Sequence, residues 1–501
     1  MSAETITSLL SFQPDAPELQ QKREYDKEAR EFTKLVNGLT PATFLKGADS
    51  PQDPLNVLEP ATNSIAYAFT LRHRIEAANK KSVDQLRPGA SLWNKLVLFL
   101  ESFDPVQMRY AGEQWRKLVE YVELIARNEG APALAIAPIR SAMFRLDPTT
   151  GTFTSTHLRF IQLCMETRSY KAALPVLDNY IHSLPTVIAK ETLEDLEYSV
   201  MAADSVASGE FINLKSGHTA KISLTDLQEY YVLGAMAYLG ERRVYDALYF
   251  LEHVLVTPTN NALNGLMLEA YKKWVLISCL ADRSHKTPPR TMSSTAVKNC
   301  RNAAKAYEAL AEAFQQVNNL PKLKAQVNAG RDIWAEDGNT GLVEELLEHQ
   351  NRAYLSRLSR TYSAIPVSNI ARNVGSSADQ VTTFVDSLIR QGLLNAQLEA
   401  NDKSGAGAVL RFYLDPTQGP LAKTEKQQQQ ALFEQTQRTN ALAEQVRDAD
   451  YRLSITKEYV EYLKRQKKKN GAGAGGGAGV DAMDMGFEDG DLDEDIMGDL
   501  R

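Results

Sequence analysis

Seven histidines and three cysteines are the side chains of this 501-residue chain best suited to hold a metal or to act as nucleophiles. The histidines are scattered, and none falls in an H-E-x-x-H or H-x-H arrangement, so the ligand spacing of a zinc hydrolase is missing. Cys164, Cys279 and Cys300 form no C-x-x-C pair, so we expect buried, reduced thiols. No phosphate-binding glycine loop follows a strand, and no G-x-S-x-G elbow occurs. The sequence therefore predicts a protein that is not an enzyme and has no catalytic, cofactor-binding or metal-ligating residues.

Charge and hydropathy narrow the class further. A net charge of −7 argues against a general nucleic-acid binder, which needs a surplus of Lys and Arg. The first residues lack the basic segment of a secretion signal, and no window contains the roughly 18 continuous apolar residues of a membrane span. We therefore expect a cytoplasmic and nuclear protein that contacts no membrane and does not bind nucleic acid directly.

The sequence predicts an N-terminal helix and a Pro-rich loop over 1–60, followed by stacked helices over 61–340. Two similar segments begin at Tyr170-Lys-Ala-Ala and Tyr245-Asp-Ala-Leu, 75 residues apart, and a weaker third begins at Tyr307. The small Ala allows two helices to approach closely, as in tetratricopeptide-like hairpins of about 34 residues. We predict an all-α protein with a right-handed array of such repeats. An all-α domain with recurring Tyr and Ala is the simpler alternative.

A winged helix is predicted within 341–415. Gly375 ends its first short helix, Ser377 caps the second helix, and Gly392 ends that second helix. A strand, a hairpin turn and a second strand follow. The order is helix, helix, strand, wing and strand, over 367–374, 378–391, 393–398, 401–407 and 409–413.

The second of these helices is the one that would read DNA, but it carries Asp379 and Asp386 against Arg390 alone. Phosphate contact needs a positive surface, so a nucleic-acid adaptor is the weaker alternative. The second wing strand instead offers a β edge to another chain. Its residues are candidate subunit contacts: Val409, Leu410, Arg411, Phe412 and Tyr413.

A long C-terminal helix is predicted over 421–469 without an interruption. Residues at alternating steps of three and four form one narrow seam, which is typical of a helix packing along other helices. Its apolar members are Leu432, Leu442, Val446, Leu453, Val460 and Leu463. The polar seam residues Gln435, Thr439 and Thr456 weaken self-association and favour a mixed bundle. The basic run 464–469 suits a helix end, a nuclear-import signal or an RNA patch. For 470–501 the composition predicts a Gly/Ala linker and an acidic, disordered tail.

This order of elements resembles the PCI proteins, which are shared subunits of the proteasome lid, the signalosome and translation initiation factor three. Within that group three consecutive stretches resemble the third subunits of the COP9 signalosome. They are Tyr230–Leu239 (YYVLGAMAYL), Ala247–Pro258 (ALYFLEHVLVTP) and Leu266–Ser278 (LMLEAYKKWVLIS). The first 60 residues and those after 470 carry no part of this resemblance.

The resemblance implies a non-catalytic scaffold subunit of the complex that removes a ubiquitin-like modifier from cullin-RING ubiquitin ligases. In that family, winged-helix edges of several PCI subunits pair, and the C-terminal helices gather into one bundle. The strand 409–413 and the seam would then contact other PCI subunits, and cullin-RING ligases are candidate partners. A PCI scaffold subunit of the proteasome lid or of initiation factor three is the alternative within the same group.

Overall fold

The structure is a computed structural model that describes residues 7–14, 16, 22–45, 53–81, 83–185, 202–205, 207–257, 263–282, 287–316, 319–399, 408–415, 417–454, 456 and 459–465. Contacts group the chain into two units, 1–382 and 383–501. Helices dominate the secondary structure, as the hydrophobic periodicity predicts.

The first helices occupy the segment up to residue 146. Pro41 and Pro54 each open a short helix inside the segment that the sequence suggests is a loop, because the fixed φ of Pro suits the first helical position. Asp53 caps the second of these short helices by accepting a hydrogen bond from the Leu55 N–H. The helices are α1 Lys22–Asn37, α2 Pro41–Leu45, α3 Pro54–Val57, α4 Ser64–Lys81, α5 Ser91–Ser102, α6 Pro105–Met108, α7 Gly112–Asn128 and α8 Ile136–Leu146.

Helical hairpins continue the array. Gly234 sits where a Cβ atom would lie 2.7 Å from the Phe250 ring, so a glycine is what lets α12 approach α13 closely. The three cysteines are free and buried, as predicted. The helices are α9 Ser155–Glu166, α10 Tyr170–Leu177, α11 Ser208–Phe211, α12 Leu224–Gly240, α13 Val244–Val256, α14 Gly265–Asp282, α15 Ser294–Ala303, α16 Lys305–Gln315, α17 Leu320–Ala329, α18 Arg331–Glu336 and α19 Thr340–Thr361.

Two of these hairpins, α9–α10 and α12–α13, correspond at an offset of 74 residues, so the offset of 75 read from the sequence is wrong by one. Arg168 and Arg242 occupy the same left-handed position of the two turns, with φ of 54° and 61°. In each turn the N–H of the residue after the arginine donates to the carbonyl of the residue five positions earlier. This register matches Ala173 with Ala247, which are both fully buried, whereas Tyr245 is largely exposed.

The winged-helix segment has the predicted order of elements among its described residues. The first helix, α20, is Val367–Val374 and ends at Gly375, whose φ of 65° and ψ of 43° are left-handed. Ser377 and Gln380 cap the second helix reciprocally, each side chain bonding the other residue's N–H. The other elements are β1 Ala364–Pro366, α21 Ala378–Arg390, β2 Ala396–Glu399 and β3 Val409–Phe412. The predicted turn at 401–407 lies outside the described residues.

The strands form a sheet in the order β1–β3–β2. β2 and β3 are antiparallel, with Ala396 opposite Phe412 and Glu399 opposite Val409. Because β3 is the central strand, its backbone N–H and C=O groups face a neighbouring strand on both sides. The prediction that 409–413 leaves a free edge is therefore wrong, and Tyr413 lies just beyond the strand.

The last long helix, α22, is Glu425–Ser454, and residues 459–465 are helical again. Thr456 is a bend between them, so the prediction of a helix without an interruption is wrong. Near the end of α22, Ser454 Oγ donates to the Tyr451 carbonyl and Thr456 Oγ1 donates to the Leu453 carbonyl, both at 2.7 Å.

Candidate subunit-assembly surface

The seam residues of α22 are exposed. Leu432, Leu442 and Val446 leave 65%, 60% and 59% of their surface accessible. None of the residues of α22 is buried. A helix whose apolar seam stays in water loses the contribution of about 1.5–3 kcal/mol that each large side chain makes when fully buried. The structure thus presents the seam as a surface without a covering segment among the described residues.

The seam has two parts. Leu432, Leu442, Val446 and Leu453 lie on α22, whereas Val460 and Leu463 lie on the helical segment 459–465 beyond the bend at Thr456. A backbone N–H···O bond from Val460 to Thr456 starts that second segment. The bend at Thr456 therefore separates the two parts of the seam.

Three further aromatic residues are exposed on these helical segments outside the seam. They are Phe433, Tyr451 and Tyr462, with 63%, 69% and 53% of their surface accessible. Reading only the alternating steps of three and four excluded them, although their size is the signal that could have found them. Phe433 and Tyr451 are 18 residues apart, which is five helical turns, so both lie on the face of α22 away from the seam and form no part of it.

Two cations of the winged helix pair with carboxylates. Arg390 pairs with Asp386 on the same helix at 2.7 Å. Arg411 on β3 pairs with Glu399 on β2 at 2.9 Å. A phosphate backbone would have to compete with these carboxylates, which weakens the nucleic-acid alternative.

Within the first unit, a tether holds the turn of the winged helix against the helical array. Lys324 on α17 donates to Ser376 Oγ at 2.5 Å and to the Gly375 carbonyl at 3.2 Å. Burial lowers the pKa of Lys324 below its ordinary value. The tether fixes the end of α20, whose following turn leads into α21.

A largely buried polar network joins α14 and α16 to the turn between α18 and α19. Tyr307 Oη donates to Asp337 at 2.7 Å and accepts from Asn339 Nδ2 at 2.9 Å. Lys272 pairs with Asp337 at 2.6 Å, and Lys273 Nζ donates to Asn339 Oδ1 at 3.0 Å. Burial by itself would raise the pKa of Asp337, but the bonds from Lys272 and Tyr307 outweigh it and hold that pKa below its ordinary value.

Neither a metal cluster nor a membrane-spanning helix is found in the part of the chain that the structure describes. No three or more His, Cys, Asp and Glu side chains come together there to hold a metal ion. None of the described helices is both long and apolar enough to cross a membrane. Burial raises the pKa of Cys164 and Cys279 to about 12 and that of Cys300 to about 11, so these thiols are poor nucleophiles.

Two family models match this architecture. Residues 29–297 match the helical repeats of the family described as "COP9 signalosome complex subunit 3, N-terminal helical repeats". The PCI domain model matches residues 325–403, which include α19, α20, α21 and β2. The first match spans more than half of the chain.

The chain belongs to the COP9 signalosome complex subunit 3 family. Curated members of that family align with it over nearly the full length. The protein of that name from Emericella nidulans is 30% identical over 487 residues, covering 95% of both chains. Its counterpart from Neurospora crassa is 25% identical over 511 residues, covering 99% of both chains. The resemblance to third subunits of the COP9 signalosome is thereby confirmed.

The two family models cover only part of this member of the COP9 signalosome complex subunit 3 family. Neither family model includes β3 or α22, because the PCI match ends at residue 403. The alignments with the two relatives, in contrast, cover 95% and 99% of the chain. The role of the seam as an assembly surface therefore depends on its own chemistry and exposure.

Proposed function

We propose that this chain is a non-catalytic scaffold subunit of the COP9 signalosome, held in the complex by the seam of its C-terminal helix. The exposed seam of α22 carries the proposal. Family membership and full-length similarity to two COP9 signalosome subunit 3 proteins support the choice of complex.

The seam suits helices of other subunits better than a second copy of itself. Leu432, Leu442, Val446 and Leu453 supply apolar knobs, and Gln435 and Thr439 interrupt them on the same face. Polar seam positions cost stability and select register and partner. Other PCI subunits that offer complementary polar seam residues are the partners that this pattern fits.

The outer edge of β2 replaces β3 as the strand offered to a neighbouring subunit. Register places Gln397 opposite Arg411, and the Tyr413 N–H donates to the Asn395 carbonyl at 3.0 Å. Hydrogen-bonded pairs alternate with non-bonded pairs along an antiparallel ladder. The backbone N–H and C=O groups of residues 397 and 399 therefore point toward β3, whereas those of Leu398 point away from β3, to the outer edge of the sheet. An added strand would bond there.

The remaining parts of the proposal follow from this scaffold role. Cullin-RING ligases are partners of the assembled complex, and removal of the modifier belongs to another subunit. The three buried thiols, whose raised pKa values keep them protonated, are consistent with a subunit that performs no chemistry. We place the protein in the cytoplasm and the nucleus.

Replacing Leu442, Val446 and Leu453 together with Asp tests the seam. We expect the tagged full-length variant to lose its co-purifying subunits, because three carboxylates cannot enter an apolar bundle without a large desolvation cost. The matched control replaces Gln437, Asn440 and Ala441 with Asp, since these exposed residues of α22 lie off the seam. The control should retain the subunits at the level of the unmodified protein.

Mass spectrometry of the material retained by the unmodified protein separates the alternatives. Recovery of proteasome-lid or initiation-factor subunits instead of signalosome subunits would reject the assignment to the signalosome but not the role of the seam in assembly. Full retention of all subunits by the Leu442, Val446 and Leu453 variant would reject the seam. Circular dichroism confirms that both triple variants keep the helical content of the repeats.

A further inference from the structure

An aromatic groove lies on the helical array of the first unit. Its open side is formed by Tyr180 and Tyr249, which leave 68% and 44% of their surface accessible. Their rings meet edge to face, with centroids 5.9 Å apart. Buried Tyr231 and Phe250 form the floor, and the groove encloses a cavity of about 80 Å³.

The rings hold one another in place. His253 stacks on Tyr231 with centroids 4.9 Å apart and meets the Tyr249 ring edge to face at 4.5 Å. Tyr231 also meets Phe250 edge to face at 5.2 Å. A groove whose walls are already ordered loses little side-chain entropy when a ligand enters.

The lining of the cavity is uncharged. Its residues are Asn179, Tyr180, Ile181, Tyr231, Tyr249, Phe250 and His253. Burial lowers the pKa of His253, so the imidazole is neutral near pH 7. Two carboxylates adjoin the lining residues in sequence: Asp178 pairs with Arg243 at 2.8 Å, and Glu252, next to His253, accepts a hydrogen bond from Trp274 Nε1 at 3.2 Å. Charge complementarity therefore selects a neutral segment as the occupant.

The size of the cavity and the polar groups at its rim restrict the occupant further. A volume of about 80 Å³ is roughly the share of three water molecules, which suits one small ring and not the row of anchors on an amphipathic helix. Tyrosine hydroxyls at the rim donate hydrogen bonds to carbonyls. A polyproline II segment exposes its carbonyls, because it forms no internal hydrogen bonds.

We propose that the groove between Tyr180 and Tyr249 binds a neutral, proline-containing segment of a partner protein in the polyproline II conformation. One proline ring enters the cavity against the tyrosine rings, and the two tyrosine hydroxyls bond the neighbouring carbonyls. Aromatic-lined grooves are the usual receptors for such segments.

Fluorescence anisotropy on the full-length chain tests the groove, with a labelled twelve-residue peptide of repeating Ala-Pro-Pro as the probe. A Gly-Ser peptide of the same length and label is the ligand control. We expect saturable binding of the proline peptide that is at least tenfold tighter than that of the Gly-Ser peptide. Tyr180→Ala and Tyr249→Ala should each weaken it at least tenfold, and Tyr249→Phe should weaken it less.

The matched protein control is Tyr245→Ala. Tyr245 is 63% exposed on the same helix, one turn before Tyr249, and does not line the cavity. Its replacement should change affinity by less than twofold, and the circular dichroism of every variant should be unchanged. Absence of saturable binding, equal binding of the Gly-Ser peptide, or unchanged affinity in both cavity variants would overturn the proposal. Binding of an amphipathic helical peptide in place of the proline peptide would overturn it as well.

Discussion

Arg168 and Arg242 occupy equivalent positions in two helix-ending turns that lie 74 residues apart, and both have a left-handed backbone. Glycine is the residue that adopts this conformation without strain, and a residue with a Cβ atom is disfavoured there. The shared geometry shows that the two hairpins are built in the same way, although neither turn carries the glycine that marks such an ending in a sequence.

Substitutions at Arg168 should change thermal stability in an unusual order. Arg168→Gly should leave the midpoint of thermal unfolding unchanged or raise it, because it relieves strain of about 1 kcal/mol. Arg168→Val should lower it, since a β-branched residue resists positive φ most strongly. Thermal unfolding followed by circular dichroism measures both. At exposed Lys171, inside α10, the order should reverse, with Gly more destabilising than Val. The same order at both positions would show that backbone strain is not the cause.

The network around Tyr307 should matter for stability. Tyr307→Phe removes the hydroxyl that bonds Asp337 and Asn339, and we expect a loss of about 1–3 kcal/mol because buried Asn339 loses a hydrogen-bond partner and partly buried Asp337 loses a donor. Urea unfolding measures this loss. A change below about 0.5 kcal/mol would show that water or a neighbouring side chain replaces the hydroxyl.

Asp337, in the same network, should make a pH-dependent contribution to the free energy of unfolding. Its pKa is held below the ordinary value of 3.8, so its carboxylate stabilises the fold above that pH. The contribution disappears as the pH falls through the lowered pKa. The difference in stability between the natural chain and Asp337→Asn should therefore shrink in acid. Exposed Asp332 on α18 is the matched control, and Asp332→Asn should show no such change.

His157 should make stability rise with pH in mildly acidic solution. Burial lowers its pKa from 6.5 to about 4, and its ring accepts from the Thr154 N–H and bonds the Thr150 carbonyl. Between those two pH values the unfolded chain binds a proton that the folded chain does not, so folding is favoured as pH rises. The slope reaches about 1.4 kcal/mol per pH unit for one such histidine. In His157→Gln, urea unfolding between pH 4.5 and 6.5 should show a smaller slope; an equal slope would assign the effect to other groups.

The backbone N–H of Leu398, which points away from β3, should be needed for a strand of a neighbouring subunit to pair with β2. Leu398→Pro removes an N–H that the ladder with β3 does not use, so the hairpin should fold while co-purification of a neighbouring subunit falls at least tenfold. Leu398→Ala keeps the N–H and loses a comparable part of the side chain, which makes it the matched control. Equal retention by both variants would exclude backbone pairing at β2.

Local pattern was enough to place most helices. The helix Val367–Val374 and its ending at Gly375 were predictable because periodicity and a left-handed glycine act over a few residues. The end of α22 at Ser454 was missed because no Gly or Pro marks it in the sequence. The repeat offset was missed for a related reason, since an Arg stands where a Gly would have marked the turn.

By itself the sequence determined the all-α class, the order of the winged-helix elements, the apolar seam and the resemblance to the COP9 signalosome subunits, because each depends on neighbouring residues or on short motifs. The tertiary structure decided that β3 is the central strand, that the seam stays exposed and that Tyr180 meets Tyr249. Strand order and ring contacts join residues far apart in the chain. Their free energy depends on how all the elements pack, which no local spacing encodes.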